Sequence, residues 1–213
     1  MNLGDLRENY TKGGIRIAEM NLCPFEQFEE WITVAHESSI PDANAMNLAT
    51  ANLQGVVTSR TVLLKGLEDK RFQFFTNYNS KKAQDLAENP NASLTFHWKE
   101  LERQITIRGT VKKTCRQTSR DYFATRPYES QVGAWVSERQ SKRIGVRSTL
   151  EKLDQEMRLK FPEDKTVPCP DFWGGFQLKP TYIEFWQGRQ GRLHDRLRYI
   201  RHQDDWELER LSP

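Results

Sequence analysis

The chain has 213 residues, of which 37% are hydrophobic and 11% aromatic, and this composition predicts a globular protein with a sizeable core. Its 32 basic and 29 acidic residues leave a net charge of +3, too small for a protein whose main partner is DNA or RNA. No apolar run approaches the roughly 18 residues that cross a membrane, so we expect neither nucleic acid nor a membrane as a partner.

The N-terminal residues and the cysteines indicate the domain organisation and the compartment. Residues 1–20 are polar, which predicts a flexible arm ahead of a single domain over residues 21–213, and they contain no apolar signal core. Cys23, Cys115 and Cys169 are odd in number and far apart, which argues against disulfides and a zinc site and favours a reducing cytoplasm. The four histidines lack ligand spacing, so we expect no metal.

In chain order, the predicted elements are mostly strands. Pro24 begins a helix, and Ser80, a favourable N-cap, precedes a second, shorter one. Two more helices are expected near residues 118–125 and 149–161. The predicted strands are 45–53, 57–65, 71–76, 92–98, 104–112, 173–178, 182–186, 192–202 and 206–211. Many strands with few helices predict a mainly β protein, an antiparallel barrel with peripheral helices.

Two groups of cations lie near the predicted second strand and second helix. Arg60 and Lys65 stand at the two ends of the apolar segment RTVLLK. Lys81 and Lys82 follow Ser80 at a helix start, where free N–H groups and the helix dipole already favour an anion. Solvated lysines at a helix end are the ordinary alternative.

A third polar group combines Tyr122 and Arg126, four residues apart on a predicted helical face, with Ser130 beyond Pro127. A guanidinium with two hydroxyl donors suits the oxygens of a phosphate. A surface contact between arginine and tyrosine is the ordinary alternative.

The most informative segment is RLHDR at 192–196. On the strand predicted there, Arg192, His194 and Arg196 share one face, and two cations beside an imidazole favour an anionic or electron-accepting partner. A solvated, charged edge strand is the alternative.

Amide and hydroxyl groups that could read the edge of a heterocycle come from Gln104, Gln140 and Ser141, and Trp186 could pack against its ring. The pattern as a whole predicts a phosphorylated cofactor beside a phosphorylated substrate. No glycine-rich phosphate loop, Ser-His-Asp order or paired catalytic carboxylates are present.

Nearly end to end, the chain resembles the pyridoxamine/pyridoxine 5'-phosphate oxidase family. The resemblance is carried by RTVLLK at 60–65, FFTN at 74–77, SKK at 80–82, ERQ at 102–104, YFATRP at 122–127, SQVGAWVS at 130–137, FWGGF at 172–176, EFWQG at 184–188, RLHDR at 192–196 and the terminal ERLSP. It implies an FMN-binding split β-barrel that forms a homodimer with active sites at the subunit interface. It also implies oxidation of pyridoxine and pyridoxamine 5'-phosphates to pyridoxal 5'-phosphate, with hydride transfer to FMN and reoxidation by O2 to give H2O2.

The resemblance also implies residue roles. FMN would be contacted by Arg60, Thr61, Val62, Leu63, Lys65, Phe75, Thr76, Lys81, Lys82, Gln104, Gln140, Ser141, Trp186 and Arg196. The substrate would be contacted by Arg7, Tyr10, Lys65, Tyr122, Arg126, Ser130, Arg192 and His194, of which Arg192 and His194 would be catalytic. The chain departs from the family pattern at Lys81, where arginine is usual, and at Phe75, where tyrosine is common. It also departs at Gly191, where a larger residue often precedes the arginine of RLHDR.

Two other functions remain open. A split-barrel FMN reductase would use a nicotinamide donor, but it would not need the phosphate-binding set of Lys65, Tyr122, Arg126 and Ser130. A vitamer-binding or carrier protein on the same fold would hold the same ligands without turning them over.

Overall fold

The computed structural model describes residues 9–213, so Arg7, the first residue of the expected substrate set, lies outside the described residues. The helices are α1 Pro24–Glu37, α2 Lys81–Glu88, α3 Arg116–Ala124, α4 Tyr128–Val136 and α5 Ser148–Lys160. The strands are β1 Ala45–Ala51, β2 Val57–Leu63, β3 Gly66–Glu68, β4 Arg71–Asn77, β5 Asn91–Trp98, β6 Arg103–Lys113, β7 Trp173–Gln187, β8 Asp195–His202 and β9 Asp205–Leu211. The prediction of a mainly β protein with peripheral helices is confirmed.

All nine strands of the described chain join one antiparallel sheet in the order β2-β1-β5-β6-β7-β4-β3, with β8 added to β7 and β9 to β8. The sheet branches at β7, whose first half pairs with β4 and whose second half pairs with β8, while β6 follows most of its length. A bulge at Arg108 and Gly109 bends β6. A Cβ on Gly109 would lie 2.1 Å from the carbonyl oxygen of Lys179, so the two strands can approach this closely only at a glycine.

Two apolar cores hold these elements. In the larger one, α1 covers the sheet, and the ring of Phe28 meets Phe72 and Phe96 at centroid distances of 4.9 and 5.3 Å. The smaller core packs α3 and α4 against the beginning of β7, around Phe123 and Trp173. Each side chain named here is at most 6% exposed, so both cores exclude water.

The prediction of a strand over residues 192–202 is wrong for its first three residues. Gly191 and Arg192 both adopt left-handed backbone conformations, with φ of 63° and 62°, and residues Gln190–Arg192 form a 3-10 turn. The strand begins only at Asp195, which pairs with Gln187 of β7. Arg192, His194 and Arg196 therefore do not form one row on a strand face, because period-two alternation applies only to extended backbone.

The other differences between the predicted and the observed elements are local. The strands predicted at 173–178 and 182–186 are one strand, β7, and the short strand β3 and the helix α4 were not predicted. Helix α3 ends at Ala124, so Arg126 lies beyond it and does not share a helical face with Tyr122. The hydroxyl of Ser80 donates to the carbonyl of Asn77 at 2.7 Å and does not cap α2.

Candidate functional site

Arg60 of β2 lies close to Lys82, which with Lys81 begins α2, and we call these three cations the cation cluster. Lys82 is 8% exposed, and its Nζ donates to Oγ1 of Thr76 at 3.1 Å. Burial, together with the charge of Arg60, lowers the pKa of Lys82 to about 8. Burial also lowers the pKa of Arg60. Cations that cost free energy to bury together provide a favourable place for an anion.

The loop after α4 lies against the same helix start. Oγ of Ser141 accepts a hydrogen bond from the backbone N–H of Lys81 at 3.3 Å, and the carbonyl of Ser137 accepts one from the side chain of Asn77. Ser141 has a φ of 68°, which turns the chain here. The structure therefore brings Ser141 to the cation cluster, whereas Gln140 is exposed beside it.

The sequence did not reveal a buried carboxylate within the cation cluster. Asp85 of α2 is 0% exposed and forms an ion pair with Lys81. Its Oδ2 accepts hydrogen bonds from the hydroxyls of Thr50 and Thr58, each at 2.9 Å. Burial alone would raise the pKa of Asp85, but the hydrogen bonds from Lys81, Thr50 and Thr58 lower it, so this carboxyl stays charged at neutral pH. The only sequence signal was its i, i+4 spacing from Lys81.

A second group, which we call the Arg126 cluster, contains Phe75, Tyr122, Arg126 and Trp173. The ring of Phe75 stacks on Tyr122 and Trp173 at centroid distances of 4.0 and 5.6 Å, and the guanidinium of Arg126 lies 4.7 Å from the centroid of Trp173. Nη1 of Arg126 is buried and has no hydrogen-bond partner among residues 9–213. A buried donor without an acceptor is costly, so this geometry favours an anionic ligand with free lone pairs.

Five other predicted residues belong to β2, to the residues just after it, or to α4. Val62 is half-buried, and Thr61, Leu63 and Lys65 are exposed along or just after the edge strand β2. Ser130 lies in the first turn of α4 and is half-buried. The structure describes no side-chain hydrogen bond that joins any of them to Arg126 or Lys82.

At the far end of β7, Gln104, Trp186 and Arg196 are direct neighbours on three adjacent strands, because Gln104 pairs with Trp186 and Trp186 with Arg196. The ring of His194 lies 4.7 Å from Trp186. Its Nδ1 accepts a hydrogen bond from the backbone N–H of Arg189 at 3.1 Å. In neutral His194 the ring proton therefore sits on Nε2, which makes this atom a donor. We call these four residues the Trp186 group.

The segment before α1 covers the Trp186 group. Backbone N–H groups of Thr11 and Lys12 donate to the carboxylate of Glu102 at 3.0 and 2.9 Å. This contact holds the ring of Tyr10 5.5 Å from Trp186 and 5.3 Å from His194. Tyr10 thus packs against Trp186 and His194, and its closing role stays a prediction. The flexibility predicted for residues 1–20 stays a prediction.

Arg196 is held by a buried acid that was not among the predicted site residues. Glu184 of β7 is 6% exposed, and its carboxylate binds Nε and Nη2 of Arg196 at 2.7 and 3.1 Å. Tyr182 donates a further hydrogen bond to Glu184. Burial would raise the pKa of Glu184, but these hydrogen bonds lower it. An acid in an otherwise apolar stretch, between Ile183 and Phe185, was the available signal.

We expect Glu184→Gln to destabilise the chain at neutral pH by about 1–3 kcal/mol, because it removes a charged partner of Arg196. Since the folded pKa of Glu184 lies below the unfolded one, the pair stabilises above roughly pH 4.3 and is lost as pH falls through the folded pKa. Urea unfolding at fixed protein concentration should therefore show a smaller difference at pH 3.5 than at pH 7. The control is Glu209→Gln, which removes the more exposed partner of Arg198. An equal difference at both pH values would contradict this account.

The clusters at the two ends of β7 are far apart within one chain. Phe75 of the Arg126 cluster pairs with Gly175 near the start of β7, and Trp186 lies eleven residues further along the same strand. At ~3.3 Å per residue this corresponds to about 36 Å along the backbone. The chain therefore carries two separate groups of candidate site residues: the cation cluster with the Arg126 cluster, and the Trp186 group.

Comparisons with known proteins find matches that cover nearly the whole chain. The family model for pyridoxamine 5'-phosphate oxidase matches residues 32–160, and the model for the pyridoxine 5'-phosphate oxidase C-terminal dimerisation region matches residues 173–213. The chain belongs to the pyridoxamine 5'-phosphate oxidase family. The first model includes the cation cluster, and the second includes Trp186, His194 and Arg196.

Relatives in the pyridoxamine 5'-phosphate oxidase family are similar over their full length. The pyridoxine/pyridoxamine 5'-phosphate oxidase of Paraburkholderia phymatum is 49% identical over 212 residues, with 99% of each chain covered. That of Rippkaea orientalis is 49% identical over 214 residues, with 100% of each chain covered.

Solved structures show the same fold. PhzG from Burkholderia lata, crystallised with tetrahydrophenazine-1-carboxylic acid, superposes with a TM-score of 0.86 and 27% identity, covering 92% of this chain and 95% of that one. An FMN-binding protein of Nostoc punctiforme superposes with a TM-score of 0.72 and 17% identity, covering 91% and 100%. The fold is the split β-barrel that the resemblance implied.

Within residues 9–213, none of the helices has the length and apolar character that a membrane crossing requires.

Proposed function

We propose that this chain is an FMN-dependent oxidase that converts pyridoxine 5'-phosphate and pyridoxamine 5'-phosphate to pyridoxal 5'-phosphate. The observation that carries the proposal is the pair of separate cationic sites, one around the buried Lys82 and one around the unpaired donor of Arg126. Two such sites match a phosphorylated cofactor and a phosphorylated substrate. The names of the full-length relatives, at 49% identity, support the same activity.

FMN fits the cation cluster because a phosphate dianion would offset the charges of Arg60 and Lys82 and would meet the hydroxyl of Ser141. Thr61, Val62, Leu63, Phe75 and Thr76 would line the flavin, and Gln104, Gln140, Trp186 and Arg196 would contact its ring system. When bound, FMN supplies the redox chemistry by accepting an electron pair from substrate C4' and passing it to O2, which yields H2O2.

The substrate phosphate would be bound by Arg126 with Tyr122, Ser130 and Lys65. The ligand named for the PhzG structure is a carboxylic acid without a phosphate, so the fold alone does not specify a phosphorylated substrate. Support for the phosphate comes from the unpaired guanidinium donor of Arg126. Arg192 and His194 would hold the pyridine ring, with Nε2 of His194 as a donor and Tyr10 closing over it.

The functional unit would be a homodimer with active sites at the subunit interface. The two groups, which would be the two half-sites of one active site, lie at opposite ends of β7, and a second copy can bring its Trp186 group to the first copy's cation cluster. The description of the matching C-terminal family model as a dimerisation region supports the same assembly.

The three cysteines, all free in the structure, suit a reducing cytoplasm.

Dimerisation and FMN binding should be thermodynamically linked, because a ligand bound only by the dimer stabilises the dimer. We expect sedimentation to show a dimer at micromolar concentration and a higher dimer dissociation constant after FMN is removed. A monomer that is loaded with flavin and active would contradict this.

Oxygen uptake by the purified yellow protein tests the proposed activity. Pyridoxine 5'-phosphate and pyridoxamine 5'-phosphate should each drive O2 consumption, with equal amounts of pyridoxal 5'-phosphate and H2O2 formed. Unphosphorylated pyridoxine should be a poor substrate. Flavin-loaded protein that consumes no O2 would favour a carrier, and turnover that requires a nicotinamide donor would favour a reductase.

The low pKa of Lys82 predicts a pH dependence of cofactor binding. Lys82 is only partly protonated above about pH 8, and a bound phosphate dianion should raise its pKa, so binding takes up a proton at pH 8.5. FMN affinity should therefore fall as pH rises above about 8. Calorimetry in two buffers of different ionisation enthalpy measures the uptake, and Lys82→Arg, which stays protonated, should lose it. The same uptake in the variant would contradict the assignment to Lys82.

A further inference from the structure

The carboxylate of Asp85 lies on the side of the cation cluster that faces β1 and β2, fully buried between α2 and these strands. It reaches Arg60 only through two threonines. Oγ1 of Thr50 and Oγ1 of Thr58 each donate to Oδ2 of Asp85 at 2.9 Å, while the other oxygen, Oδ1, binds the ammonium of Lys81.

The chemistry of these groups fixes the direction of every hydrogen bond. A carboxylate only accepts and a guanidinium only donates, so each threonine hydroxyl must donate to Asp85 and accept from Arg60. Nη1 of Arg60 donates to Thr50 at 2.9 Å and Nη2 donates to Thr58. Nη1 also donates to the carbonyl of Leu48 at 3.0 Å. The guanidinium plane is therefore set before any ligand arrives.

We propose that Asp85 is a positioning residue for FMN binding, which acts through Thr50 and Thr58 to orient Arg60 toward the cofactor phosphate. The inference rests on the proposed function, since it deepens the account of the same FMN site. A guanidinium already oriented in the free protein loses less freedom when it binds a phosphate, and this raises affinity.

Electrostatic repulsion alone predicts the opposite effect, namely that loss of Asp85 strengthens FMN binding. A negative charge near a phosphate repels it, and the loss of Asp85 would also release Lys81, whose ammonium could then reach the phosphate. The position of Asp85 favours the orienting effect, because its charge is already offset by Lys81 and the two hydroxyls lie between it and Arg60. Asp85→Asn should therefore weaken FMN binding, whereas charge alone predicts stronger binding.

The test is calorimetric titration of the full-length, flavin-stripped chain with FMN. Asp85→Asn should raise Kd about tenfold or more, as expected when a hydrogen bond to a charged group is lost. Glu88→Gln removes an exposed charge from the same helix and should leave Kd unchanged. In an Arg60→Ala background, Asp85→Asn should have little further effect, because it acts through Arg60. A purely structural role would weaken binding equally in both backgrounds.

A substitution of Thr58, one of the two threonines between Asp85 and Arg60, gives a second test that leaves Asp85 in place. Thr58→Val removes one of the two hydroxyls that join Asp85 to Arg60 and should weaken FMN binding, whereas Thr58→Ser keeps this hydroxyl and should bind FMN as wild type does. Unchanged or tighter FMN binding in Asp85→Asn, or equal binding by the two Thr58 variants, would overturn the inference. Wild-type chain that binds no FMN would instead refute the proposed function.

Discussion

The Arg60→Ala variant should purify as a nearly colourless protein that loses its remaining flavin on dialysis. Arg60 supplies a partly buried guanidinium to the cation cluster, and its Nη groups are already oriented by Leu48, Thr50 and Thr58. Each hydrogen bond to a charged group contributes about 1.5–3 kcal/mol, so the loss of two should raise the Kd for FMN by ~100-fold or more. Flavin absorbance per chain after dialysis measures the effect.

The matched control is Arg60→Lys, which keeps the charge but loses the planar fork of donors and should fall between wild type and Arg60→Ala. Thermal unfolding of the flavin-free proteins separates a loss of binding from a loss of folding. Retention of FMN by Arg60→Ala as tightly as by wild type would remove Arg60 from the cofactor site.

The second large effect is expected at the substrate phosphate. Arg126→Ala should raise KM for the phosphorylated vitamers by about 10- to 100-fold, because it removes a half-buried cation whose buried Nη1 has no partner within residues 9–213. The bound flavin spectrum should stay that of wild type, since Arg126 belongs to a different cluster from Lys82. Steady-state kinetics with pyridoxine 5'-phosphate measure the change.

The comparison with unphosphorylated pyridoxine isolates the phosphate contribution. Wild type should discriminate strongly between the two vitamers, and Arg126→Ala should lose most of that discrimination, because only the phosphorylated vitamer uses the guanidinium. Arg120→Ala, which removes an exposed arginine from α3, is the control and should change neither value. If Arg126→Ala slows both vitamers by the same factor, the substrate phosphate does not bind at this residue.

Local sequence patterns predicted much of the fold and the cation cluster of the candidate site. Hydrophobic periodicity identified α1 from Pro24 and most strands of the sheet, and the short motif around Lys81 and Lys82 placed cations at a helix start. These features depend on residues close together in the chain. Alternation and helical spacing are properties of such segments, so the sequence expresses them directly.

The features that the sequence did not predict depend on distant partners or on special backbone geometry. The left-handed turn at Gly191 and Arg192 interrupts the alternation on which a strand over 192–202 was predicted. The carboxylate of Asp85 in α2 is bound by Thr50 of β1 and Thr58 of β2, and that of Glu184 by Arg196, which lies two positions along β8 from the direct partner of Glu184. No local pattern encodes such cross-strand contacts.

Subunit complementation tests most directly the claim that each active site combines the Arg126 cluster of one chain with the Trp186 group of its partner. Arg126→Ala and His194→Ala lie in different half-sites, and each homodimer should retain only a small fraction of wild-type activity when pyridoxine 5'-phosphate is supplied below the wild-type KM. In a mixed dimer one site carries both changes and the other carries neither. Equal mixing with subunit exchange should therefore restore about a quarter of wild-type activity, as random pairing of a symmetric dimer requires. Activity that stays at the level of the separate variants, in dimers shown to have exchanged, would contradict a shared site.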